Sequence, residues 1–323
     1  MNSPQPNTLL KTAATLLGAL LLAWGLAACG GSSQPSGSSL VNDTFSSKAK
    51  IESGQVNMSL ALEPTGGSSS QSLKLSLTGP FQNGPVGKIP RFAFTVNVNI
   101  GAQPIQAGVT STDSKFYVGL GSNWYVVPSS TYKTFEQSFA QAAKQAAGKP
   151  ERSMLAGLGV EPNKWLVEPS TVGTTSVSGE SVYHVTAGVD TAAFLRDVSK
   201  LSQSSGSLSA AVPGASAISP STVSELGKSI SSAHVDLYTG KTDHLLRRLT
   251  IAATFKATPQ TQTLLNGASS AKITLDLEIS QLNQPQTISA PSHPRPFSQL
   301  LPAISQLFGA LQSSAAGSSS LGG

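Results

Sequence analysis

Apolar residues recur at every second position through several stretches of this chain, and that period limits what the chain can become. Val56, Met58, Leu60 and Leu62 alternate with Asn57, Ser59 and Ala61. Leu73-Lys74-Leu75-Ser76-Leu77 repeats the pattern. Phe92, Phe94, Val96, Val98 and Ile100 alternate with Ala93, Thr95, Asn97 and Asn99. Ile273, Leu275, Leu277 and Ile279 do so again, and Leu249, Ile251, Ala253 and Phe255 less cleanly. A period of two puts one set of side chains on each face of a strand, one face on a core and one in water, which is the signature of antiparallel sheet. Shorter strands are expected at Gln106 to Ser111, Lys115 to Leu120, Asn123 to Val127, Thr171 to Val177, Ser181 to Ala187 and Val235 to Tyr238. Turn signals separate them: Thr112-Asp113-Ser114, Gly121-Ser122, Ser178-Gly179-Glu180 and the "TGKTD" at Thr239 to Asp243. The whole predicts about ten strands joined mostly by short connections.

Helical spacing interrupts the alternation in a few places. Thr131 to Ala147 carries Phe135, Phe139, Ala142 and Ala143 on one face and ends near Gly148 and Pro150. Asp190 is a good N-cap for a helix over Thr191 to Leu201, with Phe194, Val198 and Leu201 together. Pro220 and Thr222…Glu225 read as the start of a short helix before Ile230. Between them, Ser202 to Ala217 has no periodicity and reads as a surface insertion. A fourth helix is expected from Phe297 to Leu311, with a tail from Ser313 that lacks any core-forming pattern. Strands and helices do not alternate as βαβ units, and no glycine fingerprint is present, so a doubly wound parallel sheet is excluded. The expected fold class is α+β: a single, strongly curved antiparallel sheet with a few helices on its concave face.

The N-terminus carries a second constraint. Thr12 to Ala28 holds no charge, Lys11 precedes it, and Leu16 to Leu26 is strongly apolar. This run is short for a membrane span and suits a signal peptide. It ends on Leu26-Ala27-Ala28-Cys29, and Cys29 is the only cysteine, so no disulfide is available to the chain. Gly30 to Ser39 is Gly/Ser-rich, the composition of a flexible tether. The chain divides on this basis into a signal peptide (1–28), a modified cysteine and tether (29–40), a β domain (41–296), a C-terminal helix (297–312) and a tail (313–323). The formal net charge of +5 falls to +4 without Lys11, and no basic run with interleaved aromatics exists, so nucleic acid is not an expected partner.

Leu26 to Cys29 resembles the bacterial lipobox. The resemblance implies cleavage between Ala28 and Cys29 and a covalent diacylglycerol on Cys29, which would hold the protein on the extracytoplasmic face of a membrane. The early meander, "VYHVTAGVDTAAFLRDV", "HVDLYTGKTDHLLRRLTI" and "ISAPS" together resemble actinobacterial lipoproteins of the LppX/LprG type. Those share the half-open barrel of the carrier LolA and the regulator RseB. The match covers roughly Val41 to Pro291 by order of elements, and the Ser202–Ala217 segment and the chain after Pro296 depart from it. The resemblance implies a half-open barrel whose hydrophobic cavity, between sheet and helices, holds a lipid or an acylated ligand; a monomer is expected. The cavity residues expected from the alternating strands are Phe92, Phe94, Val96, Val98, Leu249, Ile251, Phe255, Leu275 and Leu277. Three readings stand at this point. The apolar face holds a ligand, it recognises an envelope protein in the manner of a sensor, or it is the ordinary core of a structural lipoprotein.

Catalytic patterns are missing from the sequence. His184, His234, His244 and His293 form neither HxxxH nor HExxH, and with one cysteine no zinc spacing exists. GxSxG does not occur. Ser47 to Lys50 and Ser130 to Lys133 match SxxK in a serine-rich chain, without SDN or KTG companions. The expectation is a non-enzyme without a metal or a cofactor, apart from the lipid on Cys29 and a bound lipid.

Overall fold

The alternating stretches become one sheet. The computed structural model describes residues 34–46, 51–67, 72–85, 87–100, 103–146, 161–204, 227–258, 262 and 267–306. Eleven longer strands are present: β1 (Ser53–Thr65), β2 (Leu73–Gln82), β3 (Arg91–Ile100), β4 (Gln103–Ser111), β5 (Phe116–Leu120), β6 (Asn123–Val126), β7 (Leu166–Val177), β8 (Glu180–Val189), β9 (Ile230–Gly240), β10 (Leu246–Lys256) and β11 (Ser270–Ser280). A two-residue β12 (Arg295–Pro296) completes a 12-stranded sheet. The strand order is β12-β6-β5-β4-β3-β2-β1-β11-β10-β9-β8-β7. Two meanders, β1 to β6 and β7 to β11, are fused where β1 pairs with β11. All pairs are antiparallel except β12 on β6. The sheet has two ends, β7 and β12, and is therefore an open barrel. A sheet this wide must coil. Irregular register in β7 and at both ends of β10 adds bends of the kind that help it do so.

Among the described residues, helices of ten or more residues are α1 (Gly37–Ser46), α2 (Ser129–Ala146) and α3 (Thr191–Ser204). Asp190 caps α3 as expected: its Oδ1 accepts from the Ala193 amide at 3.0 Å. Phe194 then meets Trp165 edge-on, with ring centres 5.2 Å apart.

The tether assigned to 29–40 is corrected by α1, which begins at Gly37. Ser36 supplies the cap: its hydroxyl accepts from the Ser39 amide at 3.2 Å and its carbonyl from the Leu40 amide at 3.0 Å. Leu40, Val41 and Phe45 are buried, Leu40 completely, against Trp165, Val185, Val235, Leu237 and Leu249. Gly37 packs so closely on β7 that a Cβ would stand 2.4 Å from the Pro169 carbonyl carbon. The domain thus starts before Val41, because this short amphipathic stretch covers one end of the apolar face.

Other boundaries move less. β7 begins at Leu166, five residues before the expected Thr171, because Glu168 at φ 50° and two register shifts hide the period. Residues 202–204 continue α3 and so do not belong to an insertion; 205–217 lie outside the described residues, as does the Thr222…Glu225 start. Residues 227–229 are helical, directly before β9. The expected C-terminal helix opens with a 3-10 turn, Phe297–Gln299, and is helical over 300–306; its continuation to Leu311 and the tail lie outside the described residues.

Candidate functional site

The strand register places all nine expected lining residues on one face. A single cross-strand row runs Leu237, Leu249, Leu277, Met58, Leu77 and Val96, from β9 to β3. The next row carries Ile251, Leu275, Leu60, Leu75 and Val98. Phe94 and Phe92 continue the same face along β3, and Phe255 continues it along β10 opposite Ala271. On β1, β2, β3 and β11, every charged residue (Glu63, Lys74, Arg91, Lys272, Asp276 and Glu278) falls on the opposite face. The inner face of these four strands is therefore apolar and uncharged.

Among the described residues, α1 and α2 cover this face at its ends. α1 buries Leu237 and Leu249 at the β7–β10 side. At the other side α2 rests on Phe116 of β5: Tyr132 meets that ring edge-on at 4.9 Å and Phe135 at 5.5 Å. The Tyr132 hydroxyl donates to the Asp113 carbonyl at 3.2 Å. Burial, reinforced by the Glu136 charge, holds this phenol above its ordinary pKa of 10.0, so it stays a donor. Lys88 pairs with Glu136 at 2.8 Å and fastens the β2–β3 connection to α2.

Between these two helices the face is half-buried among the described residues. Of the nine residues, Leu249 alone is buried, and the other eight are half-buried. Among the described residues they form a half-exposed apolar face, with α1 and α2 standing at its ends. Two clefts lie elsewhere. One of about 370 Å³ is lined by Gly87, Lys88, Glu136 and Lys144, and one of about 340 Å³ by Asn42, Asp43, Asp243 and His244. Neither is lined by a residue of the inner face. Tyr125 and Trp165 are buried, and the Trp124 ring lies on Gly108 and Gly119, standing 2.5 Å from where a Cβ on Gly108 would be.

The outer face is polar and knitted together. Arg248 donates from Nε to Asp276 at 2.9 Å and stands over the Tyr238 ring. His184 bonds Asp236 at 2.8 Å and stacks on Tyr238 at 4.5 Å. These are cross-strand pairs of a solvated face, and the imidazole has no hydroxyl nucleophile among its described partners. Among the described residues no group of three or more His, Cys, Asp or Glu side chains is placed to hold a metal ion. No described helix is long and apolar enough to cross a membrane. Ala28 and Cys29 lie outside the described residues.

No protein-family model matches this sequence, and no curated protein matches it. Solved structures do. LprF from Mycobacterium bovis is similar at 15% identity and a TM-score of 0.39, over 79% of this chain and 96% of that one. The Mycobacterium tuberculosis lipoprotein LppX is similar at 12% identity and a TM-score of 0.37, over 78% and 97%. A LolA-superfamily protein from Nitrosomonas europaea is similar at 8% identity and a TM-score of 0.20, over 78% and 95%. The resemblance is to the lipoprotein and LolA-type structures that the sequence features suggest, while the open sheet itself rests on the strand pairing above.

Proposed function

We propose that this protein is a cell-envelope lipoprotein, held at the extracytoplasmic face of a membrane by a diacylglycerol on Cys29, that binds or transfers an acyl chain on the inner face of its sheet. The observation that supports this most is the uncharged apolar face of β11, β1, β2 and β3, continued by Leu249, Ile251 and Phe255 of β10 and, among the described residues, half-exposed between two helices at its ends. Apolar expanses of this kind are uncommon on soluble monomers and mark binding surfaces. Six strands at a spacing of about 4.8 Å give the row from Leu237 to Val96 a span of about 24 Å. One lipid chain occupies half of a bilayer core, about 15 Å, so it fits across the face. Each methylene withdrawn from water onto it is worth about 0.8 kcal/mol. With no charge to pair, the face discriminates little against release to a membrane, which suits a carrier. The role is binding without catalysis.

A charge in the middle of the face tests the reading. Val96→Asp and Leu275→Glu stand where water already reaches, so both variants should fold. Each should lose uptake of a fluorescent acyl probe by tenfold or more. Uptake equal to that of the unaltered protein in both variants would contradict the assignment of the face.

A further inference from the structure

One hydroxyl on the inner face has no role in the fold. Ser111, the last residue of β4, is 0% exposed, and its Oγ has no hydrogen-bond partner among the described residues. Buried hydroxyls are nearly always partnered, so this one requires an explanation. Its cross-strand neighbours are Phe92 on β3 and Phe116 on β5. Those two strands lie two spacings apart, about 9.6 Å. The ring centres of Phe92 and Phe116 are only 6.3 Å apart, so the rings lean together over Ser111. This gap is wider than the 4.9 Å of the stacked Phe92–Phe94 pair.

The rings form a continuous line. Phe94 and Phe92 belong to the half-buried sheet face, and Phe116 follows. Phe135 of α2 leans on Phe116 and is 41% exposed, and Phe139, one helical turn further, is 37% exposed. An aromatic path thus leads from solvent to the apolar face, with a single unused donor along it. We infer that Ser111 marks a subsite in which the acyl chain follows this path and its ester or amide carbonyl accepts a hydrogen bond from the Ser111 hydroxyl as the Phe92 and Phe116 rings part. This rests on the acyl-binding reading above and narrows it to a neutral, carbonyl-bearing lipid. A free carboxylate would be buried there without a cation, since Arg91 points to the other face.

Two neutral probes separate the possibilities: the methyl ester of pyrenedecanoic acid and decylpyrene, which lacks the carbonyl. The unaltered protein should prefer the ester. Ser111→Ala should lower the ester-to-alkane affinity ratio by about two- to tenfold, the worth of one hydrogen bond. Thermal stability should be unchanged or higher, because an unpartnered hydroxyl is removed. Ser111→Cys, a weaker donor of similar shape, should fall between and guards against a packing artefact. A ratio equal in all three proteins overturns the subsite and leaves the acyl-binding face standing. Failure of both probes to bind the unaltered protein overturns both.

Discussion

Leu40 shows how one residue decides where the folded chain begins. It is fully buried beneath the β8–β10 side of the sheet, in a stretch whose composition reads as tether. Leu40→Ala should destabilise the protein by about 2–5 kcal/mol, measured as a lower denaturation midpoint in urea. A change below 0.5 kcal/mol would mean that α1 is not part of the core. The helix was legible after all, since Ser36 followed by Leu40, Val41 and Phe45 is a cap and an apolar stripe. The low-complexity run before it masked that signal. Asp243 carries a pH dependence. Burial pushes its carboxyl up, but the Arg247 hydrogen bond, the Leu245 amide and the guanidinium charge together hold it below its ordinary value of 3.8. A carboxylate depressed in the folded state stabilises above its unfolded pKa, and that stability is lost as pH falls through the folded one. Stability should therefore decline as pH drops below about 4, and Asp243→Asn should flatten the decline in acid titrations followed by circular dichroism.

At the level of elements, strands were far more legible than their ends. Period two is a local property, so β1, β3 and β11 announce themselves, and their shared register puts the nine lining residues on one face. β12 has two residues and no period to read, and β7 hides behind positive φ at Glu168 and two register shifts. Coverage of the face was not legible either, because where a helix docks depends on distant partners. α2 illustrates this: its first turns are fastened through Tyr132, Phe116 and the Lys88–Glu136 pair, while Phe139 stays exposed. Phe139→Ser should change stability by less than about 0.5 kcal/mol, as at other exposed positions. It should slow acyl-probe uptake from vesicles severalfold in stopped-flow fluorescence. An unchanged rate would show that lipid reaches the face by another route.

For the whole molecule, the fusion of two meanders at the β1–β11 pair is what makes the apolar face continuous. Its centre lies on strands from opposite ends of the chain, so a local reading of the sequence finds the pieces and not their junction. The strand order has two ends, β7 and β12, which keep the sheet open, and among the described residues the helices at its sides leave the middle half-exposed. Cys29 ties this binding face to a membrane in the proposed account. Cys29→Ser should move the protein from the membrane to the soluble fraction after cell fractionation, with its folded domain intact by circular dichroism. Persistence in the membrane fraction would contradict a lipid anchor. The central claim, that the inner face carries an acyl chain, is tested most directly by native mass spectrometry of the protein purified from its host membrane in mild detergent. The account predicts a non-covalent adduct of lipid mass, in addition to the covalent anchor, that is lost in Val96→Asp. Bare protein mass in both, with no uptake of an acyl probe, would contradict it.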